Sequence, residues 1–127
     1  MTLMTYHPCV LELQGHLDAR HSQALRHQFA DWAELAPSKN RAQQLWLLDL
    51  AQVSSIDSAG ISALVAGFKL ARQCGCTLQI CAPSAPVQMV FEIAQLDRVF
   101  NLFDSQTAAI AAWESAQVTD AATPLAA

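Results

Sequence analysis

Two adjoining features restrict the fold more than anything else in the chain. They are the run Leu45-Trp46-Leu47-Leu48-Asp49-Leu50 and the Asp57-Ser58-Ala59-Gly60 turn that follows it. Five of the six residues in the run are apolar. A strand of that kind offers no polar face to water, so it belongs in the middle of a sheet covered on both sides. Ser54, Ser55, Asp57 and Ser58 come next, and their side chains compete for backbone hydrogen bonds, which marks a turn or helix cap. Past Gly60, the residues Ile61, Leu64, Val65, Phe68 and Ala71 recur at helical spacing. A hydroxyl is therefore expected at a helix N-terminus, at the carboxyl end of a strand, where open α/β sheets carry their functional loops.

The flanking sequence extends this pattern. Cys9 to Leu13 alternates and reads as a strand with one buried face, with Leu3 to Tyr6 as a short edge strand beside it. Gly15-His16-Leu17-Asp18 reads as the next turn, with Asp18 capping a helix from about Ala19. Leu25, Phe29, Trp32 and Leu35 give that helix one apolar stripe. Ala36 to Gln44 is polar and reads as an exposed connection. The central strand spans Leu45 to Leu50, and its helix runs from Ser58 to Gln73 until Gly75 ends it in the left-handed region. Thr77 to Cys81 is the next strand. A third helix covers Val87 to about Gln95, with Pro86 in its first turn. Val99 to Phe103 is expected to supply a last strand, and Ser105 to Gln117 a terminal helix that packs Ile110 and Trp113. Val118 to Ala127 lacks periodicity and reads as a flexible tail. The expected architecture is α/β: one domain over residues 1–117, with a mostly parallel or mixed sheet of four to five strands covered by about four helices.

Composition excludes several classes. A net charge of −4 with seven scattered basic residues leaves no footprint for nucleic acid. No window approaches about 18 uninterrupted apolar residues, so no membrane insertion is expected. The first eight residues carry neither a basic start nor an apolar core, so no secretory signal is read and the cytoplasm is the expected compartment. The four cysteines lack zinc-type spacing and read as buried, reduced thiols, and the histidines His7, His16, His21 and His27 read as surface or loop residues. No metal and no cofactor are expected. A hydrophobic fraction of 53% against 14% charged residues suits a surface that meets a partner and is compatible with a homodimer, whose interface no stretch locates.

Taken together, Leu11-x-Leu13-x-Gly15-x-Leu17-Asp18 and Leu48-Asp49-Leu50-x-x-Val53-x-x-Ile56-Asp57-Ser58-Ala59-Gly60 resemble the STAS domain, and more narrowly the bacterial anti-sigma factor antagonists. The likeness runs from about Cys9 to Trp113. It implies a non-enzymatic partner switch. The unphosphorylated antagonist binds an anti-sigma factor with serine kinase activity, phosphorylation of the serine matching Ser58 breaks the complex, and a serine phosphatase restores it. The implied partner surface comprises Asp18, Ser55, Asp57, Ala59, Gly60, Ile61 and Ser62. Residue 59 departs from the commonest pattern, because alanine there leaves Ser58 as the only hydroxyl acceptor in the turn. The alternative is a STAS-type scaffold subunit of a stressosome or transport complex without a phosphorylation switch.

The chemistry can be weighed without the resemblance. A phosphate on Ser58 would add about −1.5 to −2 charges at pH 7. A helix N-terminus favours an anion, while Asp57 repels it. The competing reading of Ser58 is an N-cap hydroxyl worth about 1 kcal/mol. Gly60, Ala63 and Gly67 form a small-residue stripe that would let another backbone approach. Gly60 is expected to face a partner, and Gly67 fits a partner or the sheet equally well. Ser58, Ser62, Lys69 and Arg72 lie on a neighbouring line expected to face solvent. Asp49 reads as a structural carboxylate bonded to loop N–H groups. A serine hydrolase is disfavoured, because Ser58 lacks a G-x-S-x-G elbow and every histidine precedes residue 28. A nucleotide site would lack any glycine loop.

Overall fold

The computed structural model describes residues 9–35 and 44–122. The elements are β1 (Cys9–Leu17), α1 (Ala19–Leu35), β2 (Leu45–Ile56), α2 (Ser58–Gln73), β3 (Thr77–Cys81), α3 (Ala85–Ile93), a short 3₁₀ turn (Leu96–Arg98), β4 (Leu102–Phe103) and α4 (Gln106–Ala122). The four strands form one sheet in the order β1-β2-β3-β4, and every pairing is parallel. The expected α/β architecture is present. The expected edge strand at Leu3 to Tyr6, and all of the Ala36 to Gln44 connection except Gln44, lie outside the described residues.

β2 occupies the interior of the sheet and sorts its side chains by parity. Trp46, Leu48 and Leu50 enter the larger core with Leu25, Phe29 and Trp32 of α1 and Ala63, Leu64 and Ala71 of α2. Leu45 and Leu47 point to the opposite face, where Ala109 and Trp113 of α4 cover them. All five β2 residues are fully buried, which explains why the run carries no polar alternation. Phe29 stacks on Trp46 at 5.9 Å, and Trp32 meets the same indole at 5.6 Å, so the α1 stripe docks on the strand through aromatic contacts.

Two expected turns prove to be strand. β2 continues through Ser54 and Ser55 to Ile56, and β1 continues through Gly15 to Leu17. The pairing runs from Cys9↔Trp46 to Leu17↔Ile56, with register shifts between Glu12 and Gln14 and between Gly15 and His16. Bulges of this kind absorb surplus residues without ending the ladder. Gly15, at φ +79, supplies backbone that an L side chain rarely adopts. Serine side chains can compete for nearby backbone groups, which is why this stretch reads as a turn, but here they bond across to β1 instead. Ser54 Oγ donates to the Gly15 carbonyl at 3.3 Å, so that bond joins two strands.

Other boundaries follow their chemistry. α2 begins and ends as expected. Gly75 sits at φ +75, the Cys76 N–H reaches the Ala71 carbonyl at 2.7 Å and the Gly75 N–H reaches Arg72 at 3.1 Å, closing a Schellman-type end. α3 starts two residues before Val87 and carries Pro86 in its first turn. The last strand shrinks to Leu102–Phe103, because the N–H groups of Val99 and Phe100 bond back to the Leu96 carbonyl, at 2.9 Å each, and continue the 3₁₀ turn at Leu96–Arg98. α4 runs to Ala122, five residues past the expected Gln117, so the stretch read as a tail from Val118 begins inside a helix. Cys76 and Cys81 are buried, but Cys9 and Cys74 are only half-buried.

Candidate functional site

The site grows from the carboxyl ends of β1 and β2, which the sheet holds side by side. The Asp57 N–H donates to the Leu17 carbonyl at 3.2 Å and ties the two strand ends together at the entrance to α2. Asp57 is extended (φ −114, ψ −173) and is the N-cap of α2, with its Oδ1 accepting the Gly60 N–H at 3.0 Å. The alternative reading of Ser58 as the cap is therefore wrong: aspartate fills that role and Ser58 is the first helical residue. The Ser58 side chain is exposed, and its hydroxyl makes no hydrogen bond to a described residue.

The small-residue stripe faces inward. Gly60, Ala63 and Gly67 are all buried within the chain. A Cβ on Gly60 would collide with the Leu17 carbonyl oxygen and lie 2.9 Å from the Ile56 side chain, while one on Gly67 would strike the Phe29 ring. Gly60 therefore admits β1 and β2 to the helix, not a partner. This corrects the expectation for Gly60, because α2 starts directly over the ends of β1 and β2; at Gly67 the close neighbour is Phe29 of α1. Ala59 and Ile61 are half-buried, whereas Ser58, Ser62, Lys69 and Arg72 face solvent as expected.

Around this turn the structure gathers Asp18, Ser55 and Ser62, together with residues the sequence did not single out. Asp18 caps α1, with its Oδ1 accepting the N–H groups of Arg20 and His21 at 3.1 Å each and lying 3.0 Å from His21 Nδ1. These bonds, the His21 N–H foremost, hold its carboxyl below the usual carboxylate range. On the bulged strands His16 Nδ1 lies 2.7 Å from Ser55 Oγ and 3.3 Å from Ser54 Oγ. Arg26 of α1 reaches across to α2, where its Nη2 donates to Ser62 Oγ at 2.8 Å. Ser84 Oγ donates to the Val53 carbonyl at 2.7 Å and moors α3 to β2. His16 and Arg26 were hidden because their partners are 39 and 36 residues distant and depend on the bulged register and the helix contact.

A second polar group lies on the α4 side of the sheet. The Gln106 amide donates to Asp49 Oδ2 at 2.8 Å and to Glu12 Oε2 at 2.9 Å. Asp49 also accepts the Ala51 N–H at 2.9 Å, so its partners are its own strand and α4, not the loop groups expected. The Cys81 thiol is pushed up to about 12, by burial first and then by the Asp49 and Glu12 carboxylates, which disfavours the thiolate. Among the described residues no cluster of three His, Cys, Asp or Glu side chains could hold a metal ion. No described helix is long and apolar enough to cross a membrane. Among the described residues the large exposed apolar ones are Val10, Met89, Ile93 and Val99, and none of them is on α2.

A parallel α/β sheet with a capped serine turn at the carboxyl end of an interior strand defines the class of fold. Residues 2–104 match the family model described as Mlab, STAS domain, and the chain belongs to the STAS domain family. It is 31% identical over 104 residues to BtrV of Bordetella bronchiseptica, named as an anti-sigma factor antagonist, covering 82% of this chain and 84% of that one. Among solved structures, the anti-sigma factor antagonist SpoIIAA in its unphosphorylated form superposes with a TM-score of 0.68 at 18% identity, covering 86% of this chain and 90% of its own. A sulfate transporter family protein from Wolinella succinogenes gives a TM-score of 0.72 at 17% identity, with 89% of each chain covered. The last two likenesses concern the fold.

Proposed function

We propose that this chain is a non-enzymatic anti-sigma factor antagonist of the cytoplasm that works by partner switching at Ser58. Unphosphorylated, it binds an anti-sigma factor with serine kinase activity through the exposed surface of Asp18, Ser55, Asp57, Ser58 and Ser62, with Ala59 and Ile61 at its edge. The kinase transfers a phosphoryl group to Ser58 Oγ, the complex parts, and a serine phosphatase resets it. The observation that carries this reading is the free Ser58 hydroxyl. Because Asp57 holds the helix cap, Ser58 is exposed and unbonded, and it can be modified without undoing α2. A dianion on a closely packed interface would carry a desolvation penalty of several kcal/mol, enough to release a micromolar partner.

Intact-mass analysis of the protein from its native host, with site mapping and a parallel Ser58→Ala sample, tests the switch. The expected result is one added phosphate on Ser58 that the variant lacks, and a pull-down that recovers a kinase-type anti-sigma factor with the unphosphorylated form only. Absence of phosphate under every growth condition, with recovery of a transporter ATPase and no kinase, would instead assign the chain to a scaffold role in a transport complex.

A further inference from the structure

We propose that Arg26 is a built-in clasp for the phosphate on Ser58, an inference that rests on Ser58 being the phosphorylated residue. β1 and β2 are parallel neighbours, so α1 and α2 both start at the same end of the sheet and lie side by side. Arg26 stands two turns into α1 and Ser62 one turn into α2, and their side chains meet at 2.8 Å. Helical side chains lean toward the N-terminus of their own helix. The long Arg26 side chain therefore reaches back to the level of Ser62, and the Ser62 hydroxyl leans toward the turn that carries Ser58. Residues four apart on a helix have Cβ atoms about 5–6 Å apart. A phosphate extending from Ser58 thus enters the space beside the Arg26 guanidinium.

The charge balance favours this exchange of partners. Arg26 makes no ion pair with a described carboxylate, and its described partner is a neutral hydroxyl. Charge-assisted bonds to phosphate are roughly twice as strong as neutral ones, and the planar guanidinium has donors to spare for two oxygens. The other charged groups at this end of the helix pair are less suited. Asp57 repels the phosphate and already accepts the Gly60 N–H, and the Asp18–His21 pair is satisfied within α1. Arg20 is an exposed cation in the first turn of α1 with no described side-chain bond to α2, and Lys69 lies about three turns along α2 from Ser58. The clasp gives the modified protein a defined state: Arg26 leaves Ser62, closes on the phosphate, and two residues of the proposed partner surface change together.

The test uses full-length protein with phosphoserine inserted at position 58 during synthesis, so it needs neither the kinase nor evidence that the host phosphorylates the site. The second ionisation of that phosphate is followed by phosphorus NMR at low salt in the native background, in Arg26→Gln and in Arg20→Gln. A nearby cation favours the dianion, so loss of Arg26 is expected to raise the midpoint by about half a pH unit or more. Arg20→Gln, which removes the same charge without the contact, should stay nearer the native midpoint. Ser62→Ala, which releases Arg26 from its neutral acceptor, should leave the midpoint at or below the native one and reports independently if Arg26→Gln does not fold. An unchanged midpoint in Arg26→Gln, a shift of equal size in Arg20→Gln, or a rise in Ser62→Ala would each overturn the clasp.

Discussion

Two adjacent residues divide the labour at the head of α2. Asp57 is fixed: its carboxylate holds the Gly60 N–H and its backbone N–H holds the Leu17 carbonyl. Ser58 is left over, with a hydroxyl facing solvent. Replacing Asp57 with alanine should destabilise the protein by about 1 kcal/mol, while asparagine, which caps nearly as well, should restore most of it. Urea unfolding of the two variants checks this. Equal loss in both would mean that the negative charge, rather than the cap bond, stabilises the turn. Ser58→Ala removes no hydrogen bond and should leave the unfolding midpoint unchanged, so any loss of partner binding in that variant reports on recognition alone.

At the scale of elements, the decisive contact is between α1 and α2. Gly60 allows α2 to start directly over the Leu17 carbonyl, and Gly67 allows the Phe29 ring to lie against the helix. Gly67→Ala should cost about 1–3 kcal/mol through overpacking, although alanine is the better helix former. Gly60→Ala meets backbone that cannot turn aside and should cost at least as much. Thermal unfolding of Gly67→Ala with and without Phe29→Leu separates the causes, because the smaller side chain should recover part of the loss only if the ring is the obstacle. The same contact carries Arg26 to Ser62, so Gly67, which in sequence fits a partner or internal packing equally well, positions the charged edge of the site.

Across the whole molecule, the sheet is defended unequally. One face carries the large core beneath α1, α2 and α3, and the other relies on α4, where Trp113, 2% exposed, packs with Ala109 over Leu45, Leu47 and Cys81. Trp113→Ala should therefore cost about 3–5 kcal/mol, a large part of a small domain's stability. It should also expose Cys81, whose thiol is otherwise buried beside two carboxylates. Alkylation followed by mass spectrometry should find Cys81 protected in the native protein and modified in the variant. Protection in both would show that α4 holds the face without its tryptophan.

The class of fold was legible in the sequence because its signals are local. An unbroken apolar run, a change to helical spacing after Gly60 and a glycine at position 75 each report the conformation of the residues that bear them, and α2 and β3 came out with their observed bounds. The pair of motifs at Gly15–Asp18 and Ile56–Gly60 also pointed to the family. What local signals could not supply was pairing. Serines and glycine that individually favour turns became bulged strand because β1 and β2 zip together as far as Leu17 and Ile56. Gly60 turned inward because the ends of β1 and β2 lie against it and Gly67 because Phe29 of α1 does, and Arg26 joined the site because the α1–α2 packing sets it beside Ser62. Sequence determines which residues can form a strand, cap or helix; contacts between residues 30 to 40 positions apart decide which side of each element is left for a partner.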